Sequence, residues 1–167
     1  MTSAFALFLI PGRVTCEDTS AAFRNATEHL QRGRYEEAAE AFTEIVENAK
    51  DTTKGPAIIG LSRTLESQGQ YKEAISQLTD AAMPSPAILA ETARLQFTIG
   101  RIEEAAGSCE AALKADADQP LAHLVLAWLS TEAGDLKKAN EAFRWFVRFY
   151  NRKQPTDTRT LLLIAEG

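Results

Sequence analysis

The sequence predicts an all-α protein, a right-handed α-solenoid of antiparallel helix pairs. Three observations predict it. Four glycines, Gly33, Gly69, Gly100 and Gly134, recur at spacings of 36, 31 and 34 residues. An alanine stands five residues after each one: Ala38, Ala74, Ala105 and Ala139. A small residue stands seven before each: Ala26, Ser62, Ala93 and Ala127. Self-similarity with a period of roughly 34 residues marks stacked supersecondary units that cannot bury their apolar faces alone.

Each position in the unit has a physical reason. The glycine ends a first helix, where a left-handed backbone costs any other residue most. Two residues later Tyr35, Tyr71, Ile102 or Leu136 opens a second helix and is expected to plug the gap between the pair. The small residues at seven before and five after face each other where the two helices cross closest, because larger side chains would force them apart. Phe42, Leu78, Cys109 and Phe143 stand nine after the glycine, and Ile45, Ala81, Ala112 and Phe146 twelve after. These share a helical face and are expected to cover the next unit.

Taken in order, the units span 19–54, 55–85, 86–119 and 120–153. Glu36-Glu37 and Glu103-Glu104 open second helices, where carboxylates complement the helix dipole. The short joint between the second and third units holds Pro84 and Pro86, in keeping with a helix end and a helix start. Pro155 breaks the last long helix. A ninth helix then restarts over 154–167, capped by Thr156 or Asp157. Its apolar run Leu161–Ile164 reads as a truncated fifth unit or a capping helix, and predicts a natural chain that continues past Gly167.

The matching text, "RGRYEEAAEAF", "QGQYKEAISQL", "IGRIEEAAGSC" and "AGDLKKANEAF", resembles the tetratricopeptide repeat. The resemblance covers residues 19 to about 152, and four copies in phase carry it. It departs from the pattern at Ala22 and His123, where a large residue is expected early in the first helix. The family implies a superhelix whose inner wall is lined by first helices. Carried over by position, the wall residues are Phe23, Thr27, Leu30 and Gln31; Ile59, Arg63, Glu66 and Ser67; Ala90, Arg94, Phe97 and Thr98; and Leu124, Trp128, Thr131 and Glu132. The expected ligand groove centres on Phe23, Thr27, Ile59, Arg63, Arg94, Phe97, Leu124 and Trp128. Arginines can clamp a carboxylate with two bonds. The competing reading is that Arg63 and Arg94 pair with Glu66 and Glu91 on their own helices. Some family members clamp a chaperone's C-terminal carboxylate with lysines and asparagines. Phe23, Thr27, Gly60, Ala87 and Glu91 stand at those places and cannot do so.

Catalytic chemistry is not legible. His29 and His123 are isolated, and no metal-binding histidine pair, phosphate loop or nucleophile elbow occurs. Cys16 and Cys109 have no paired ligand spacing, so no metal or disulfide framework is indicated. Cys109 reads as a small buried hydrophobe. No enzyme activity and no cofactor are expected. A net charge of -5 argues against a nucleic-acid binder, which normally shows a basic face. In "EAFRWFVRFYNRK", Trp145, Phe146, Phe149 and Tyr150 alternate with basic residues. They read as a cover for the ninth helix rather than as a membrane contact.

Residues 1–18 read either as a signal-peptide-like segment or as a packed N-terminal cap. The apolar run Ala4–Ile10 ahead of Val14-Thr15-Cys16 resembles a leader, although no Lys or Arg precedes it. It is too short to span a bilayer. That start favours an exported or periplasmic placement over a cytoplasmic one. The expected function is a scaffold that binds a protein or peptide in its groove. The alternative is a non-catalytic arm of a larger exported bacterial protein whose activity, such as a peptidase-like domain, lies beyond residue 167.

Overall fold

A computed structural model describes residues 16–49, 52–81 and 84–166. The reading of residues 1–18 as leader or cap lies outside them except at 16–18, which begin the first helix. The described residues form helices α1 (Cys16–Gln31), α2 (Tyr35–Asn48), α3 (Lys54–Ser67), α4 (Tyr71–Thr79), α5 (Pro86–Thr98), α6 (Ile102–Ala115), α7 (Pro120–Glu132), α8 (Leu136–Lys153) and α9 (Thr158–Glu166), with no strand among them. Consecutive helices pair, and the first helices α1, α3, α5, α7 and α9 also contact one another in series. They form one wall of an α-solenoid. No described helix is long and apolar enough to cross a membrane.

The turns are built as the glycines require. Gly33, Gly69, Gly100 and Gly134 have φ of 72°, 77°, 79° and 73°. The residue after each donates its backbone N–H to a carbonyl five residues back: Arg34 to His29, Gln70 to Leu65, Arg101 to Gln96 and Asp135 to Ser130. This double-bonded ending satisfies the last carbonyls of the first helix and reverses the chain. α5 starts with Pro86 in its first turn, and Ser85 accepts a hydrogen bond from the Ile88 N–H at 3.3 Å. Asp157 does the same for the Thr160 N–H at 2.8 Å.

The close crossings hold the predicted small residues. Ala26, Ser62, Ala93 and Ala127 are all fully buried, and so are Ala38, Ala74 and Ala105. Ser62 adds a bond that alanine could not, donating its hydroxyl to the Ala74 carbonyl at 3.0 Å. The bulky residues that follow seal each pair against the next. Phe42 and Ile45 of α2 pack with Ala57 and Leu61 of α3. Leu78 of α4 packs with Ile88 and Leu95 of α5. Cys109 and Ala112 of α6 pack with Leu121 and Val125 of α7. The α2–α3 contact is so close that a Cβ on Gly60 would lie 2.4 Å from the Phe42 ring. The Cys109 thiol also donates to the Ala122 carbonyl at 3.2 Å. Burial pushes its pKa up to about 11, which agrees with a packing role.

Three expectations change. Tyr35, Tyr71, Ile102 and Leu136 do open second helices, but only Tyr35 is half-buried, while Tyr71, Ile102 and Leu136 are exposed. The shortfall between Gly69 and Gly100 falls on α4 itself, which has nine residues against fourteen in α2 and in α6. The α8 aromatics cover α7 more than α9. Trp145 stacks on His123 of α7 with ring centroids 3.8 Å apart, and on Phe149 at 4.5 Å. Phe146 and Phe149 are buried, while Tyr150 is exposed. Burial lowers the His123 pKa, partly offset by its bond to the Ala117 carbonyl and by Asp118.

Candidate functional site

The first-helix wall divides into four parts rather than one continuous groove. The first part belongs to the core. Ile59 and Leu124 are 5% and 0% exposed, so neither can serve as a groove residue. Ala90, at the same place in its helix, is also fully buried. Ile59 shares an apolar cluster with Leu78 of α4 and Ile88 and Leu95 of α5, and Ala90 shares one with Leu121 and Val125 of α7. Phe23 escapes only in part. It is half-buried and packs edge-on against Phe42 with centroids 5.7 Å apart.

The second part is a charged brace. Arg63 of α3 donates from Nε and Nη2 to the two Glu91 oxygens, each at 2.9 Å. Arg94 donates from Nε and Nη2 to Glu91 Oε1, at 3.1 and 2.9 Å. Its Nη1 and Nη2 also reach the two Glu66 oxygens. The own-helix pairing therefore holds only for Arg94 with Glu91. The other contacts cross from α3 to α5, with Arg63 on Glu91 and Arg94 on Glu66. The reason is register. Arg63 and Glu66 lie one turn apart on α3, Glu91 and Arg94 one turn apart on α5, and the two sequences run in opposite charge order.

Glu91 is fully buried, and Arg159 of α9 adds a third guanidinium at 3.3 Å. Burial alone would raise the Glu91 pKa. The Arg63 hydrogen bonds and charge, with Arg94 and Arg159 behind them, outweigh it and hold the carboxyl below its ordinary range. Arg94 is likewise held protonated, because its bonds to Glu66 and Glu91 outweigh the cost of burial.

The third part is aromatic. Phe97 of α5 and Trp128 of α7 lie with centroids 5.7 Å apart and planes tilted by 31°. With Thr98, Thr131, Glu132 and Phe143 they line an open depression of about 590 Å³. The fourth part, at the N-terminal end, is a depression of about 550 Å³ lined by Phe23, Arg24, Thr27, Glu28, Gln31 and Arg32. The hydroxyls along the wall are largely committed as donors. Thr27, Ser67, Thr98 and Thr131 each donate to the carbonyl four residues back on their own helix. What remains for a visitor is aromatic surface, hydroxyl lone pairs and part of the arginine cluster.

Two residues that border the wall, Phe143 of α8 and Arg159 of α9, were not legible beforehand. Phe143 stands where its counterparts Phe42, Leu78 and Cys109 are buried under a following helix, but it is only half-buried. Arg159 lies in the ninth helix, and nothing in the repeat pattern says that it reaches back to α5. Glu91 was noted as a partner, without its burial.

Two family models, both described as tetratricopeptide repeat, match residues 29–96 and 90–151. No curated protein matches the sequence. Among solved structures, a chain of the APC/C hetero-tetramer Cut9–Hcn1 superposes with a TM-score of 0.73 at 19% identity. It covers 89% of this chain, which spans only 28% of that one. MamA from Desulfovibrio magneticus RS-1 superposes with a TM-score of 0.61 at 17% identity, covering 84% of this chain and 80% of its own. YrrB, titled a TPR protein with an unusual peptide-binding site, reaches 0.53 at 16% identity, covering 83% of this chain and 70% of its own. At these identities the likeness speaks to the fold, while the two family matches together run from residue 29 to residue 151. The chain belongs to the tetratricopeptide-repeat family.

Proposed function

We propose that the chain is a non-catalytic scaffold that binds a protein or peptide along its first-helix wall, with the Phe97–Trp128–Phe143 depression as the apolar seat. The observation that carries this reading is the aromatic pair itself. Two large rings from adjacent first helices border open space and are held by a rigid helical frame. Aromatic anchors in preformed depressions supply most of the binding energy in many interfaces, and preorganised helices lose little freedom on association. The working unit in this reading is the set of repeats 19–54, 55–85, 86–119 and 120–153, with α9 opening a fifth or capping the fourth. YrrB shares the fold, and its title records a peptide-binding site, which supports a peptide as the kind of partner.

The test is selection of peptides from a random dodecamer phage library on the immobilised chain, followed by titration calorimetry. Trp128→Ala should weaken a selected peptide by about 2 kcal/mol while the far-ultraviolet circular dichroism stays unchanged. Full affinity in that variant, or no peptide enriched at all, would sink the proposal.

A further inference from the structure

The arginine cluster holds more N–H donors than it uses. Arg63, Arg94 and Arg159 come from three different helices and converge on one carboxylate that has no exposed surface. Glu66 is the second carboxylate in contact. Three guanidinium groups share two carboxylates in direct contact, so their donors are not all used.

The unused donors can be located. All three nitrogens of the Arg94 guanidinium donate to Glu66 or Glu91, and its side chain is 19% exposed. Four of its five N–H groups are thus committed, and it serves mainly as a strut. Arg63 uses Nε and Nη2 on Glu91, is 35% exposed, and its Nη1 meets no acceptor among the described residues. Arg159 makes one bond, from Nη2 at 3.3 Å, and is 49% exposed. Its Nε and Nη1 likewise meet no acceptor among the described residues. Asp157 lies nearby, but it caps the Thr160 N–H at the start of α9. Burial, then the Arg63 charge, lower the Arg159 pKa, with Glu91 opposing and Arg94 adding to the fall. Arg63 and Arg159 therefore repel across the wall, and an anion between them would relieve that repulsion.

We propose that Arg63 and Arg159 form a seat for one aspartate or glutamate side chain of the peptide that occupies the wall, so the partner is an acidic peptide with an apolar anchor. This rests on the scaffold reading and adds to it the charge of the partner and a residue from α9. A carboxylate fits better than a phosphoryl group. Its single negative charge suffices for two incompletely bonded guanidinium groups, whereas about two negative charges would be repelled more strongly by Glu66, Glu91 and Asp157 around the site. The remaining N–H groups of Arg63 and Arg159 can each donate to one oxygen of a carboxylate. α9 thus becomes part of the binding wall.

The experiment uses the same random dodecamer selection and then a double-mutant cycle. Peptides enriched on the chain should carry an acidic residue. One of them is synthesised with an amidated C-terminus, so that only side-chain carboxylates remain. Changing its acidic residue to the amide should weaken binding about tenfold, as expected for loss of a charge-assisted bond. The same change should have little effect on Arg159→Gln, and the tenfold loss should shrink as salt rises. Arg159→Gln leaves Glu91 its Arg63 and Arg94 bonds, so it should fold, and Arg63→Gln provides a second arm. Enriched peptides without acidic residues, or an equal loss on the chain and both variants, would overturn the seat and leave the scaffold reading standing. Dependence on the free C-terminal carboxylate alone would overturn it too. Failure to enrich any peptide would remove the scaffold reading with it.

Discussion

The α3–α5 seam and the α5–α7 seam join equivalent helices of successive repeats with different balances of apolar and charged contact, although Ile58 and Ile59 of α3 also share an apolar cluster with Ile88 and Leu95 of α5. At α5–α7, Ala90 and Ala93 pack with Leu121, Ala122 and Val125, and Phe97 meets Trp128 above them. The helices touch along much of their length. At α3–α5 direct contact is sparser, and long charged side chains bridge the seam around Glu91. The short α4 also covers less of α5 than α2 covers of α3. A solenoid repeat can thus be held by small apolar residues that admit close approach, or by ion pairs that span a wider seam. The apolar seam tolerates changes that leave volume alone. The charged one depends most on Arg63 and Arg94, which make the short bonds to Glu91, because a buried carboxylate that loses them has no water to replace them.

The largest expected effect tests that difference directly. Arg94→Ala removes the strut shared by Glu91 and Glu66 and should cost about 3 kcal/mol in urea unfolding. A loss within experimental error would mean that Arg63 and Arg159 suffice, and the two seams would then differ less than their chemistry suggests.

At the apolar seam, Ala90→Leu should overpack the closed interface and cost about 2 kcal/mol. Unlike the loss at the charged seam, this one should be the same at low and high salt. A salt-dependent loss would show that the apolar seam is not what the larger side chain disturbs.

Acid should separate the seams further. The folded Glu91 carboxyl titrates below its ordinary value of 4.5. The network's contribution is therefore complete above that value and is lost as pH falls through the folded one. Urea midpoints measured downward from about pH 6 should fall more steeply for the native chain than for Glu91→Gln, which lacks this proton uptake. Parallel curves would contradict the lowered pKa.

The smallest effect belongs to the aromatic pair. Both rings border an open depression, so Phe97→Ala should cost about 1 kcal/mol of stability, mostly the ring–ring contact and partial burial. A cost as large as that of Arg94→Ala would mean that the pair belongs to the core and offers little to a ligand.

Much of the fold, though not the contrast between the seams, could be read in the residues. Ala26, Ser62, Ala93 and Ala127 were legible as close-crossing residues because a volume limit at a helix crossing leaves a direct mark on composition. The glycine turns were legible for the same reason, since a left-handed backbone restricts residue type. Groove residues were less so. Ile59 and Leu124 share a register position with half-buried Phe23, and helical register alone does not say how far the neighbouring helix closes over it.

The sequence by itself determined the helix pairs, their turns and the small residues at their crossings, because these are local constraints of backbone geometry and volume repeated in phase. Only the tertiary structure decided which charges meet. Arg63 and Glu91, 28 residues apart, and Arg159 and Glu91, 68 apart, are brought together by how α3, α5 and α9 stack. That stacking depends on the summed packing of every helix between them, so no residue type at any one position could announce it.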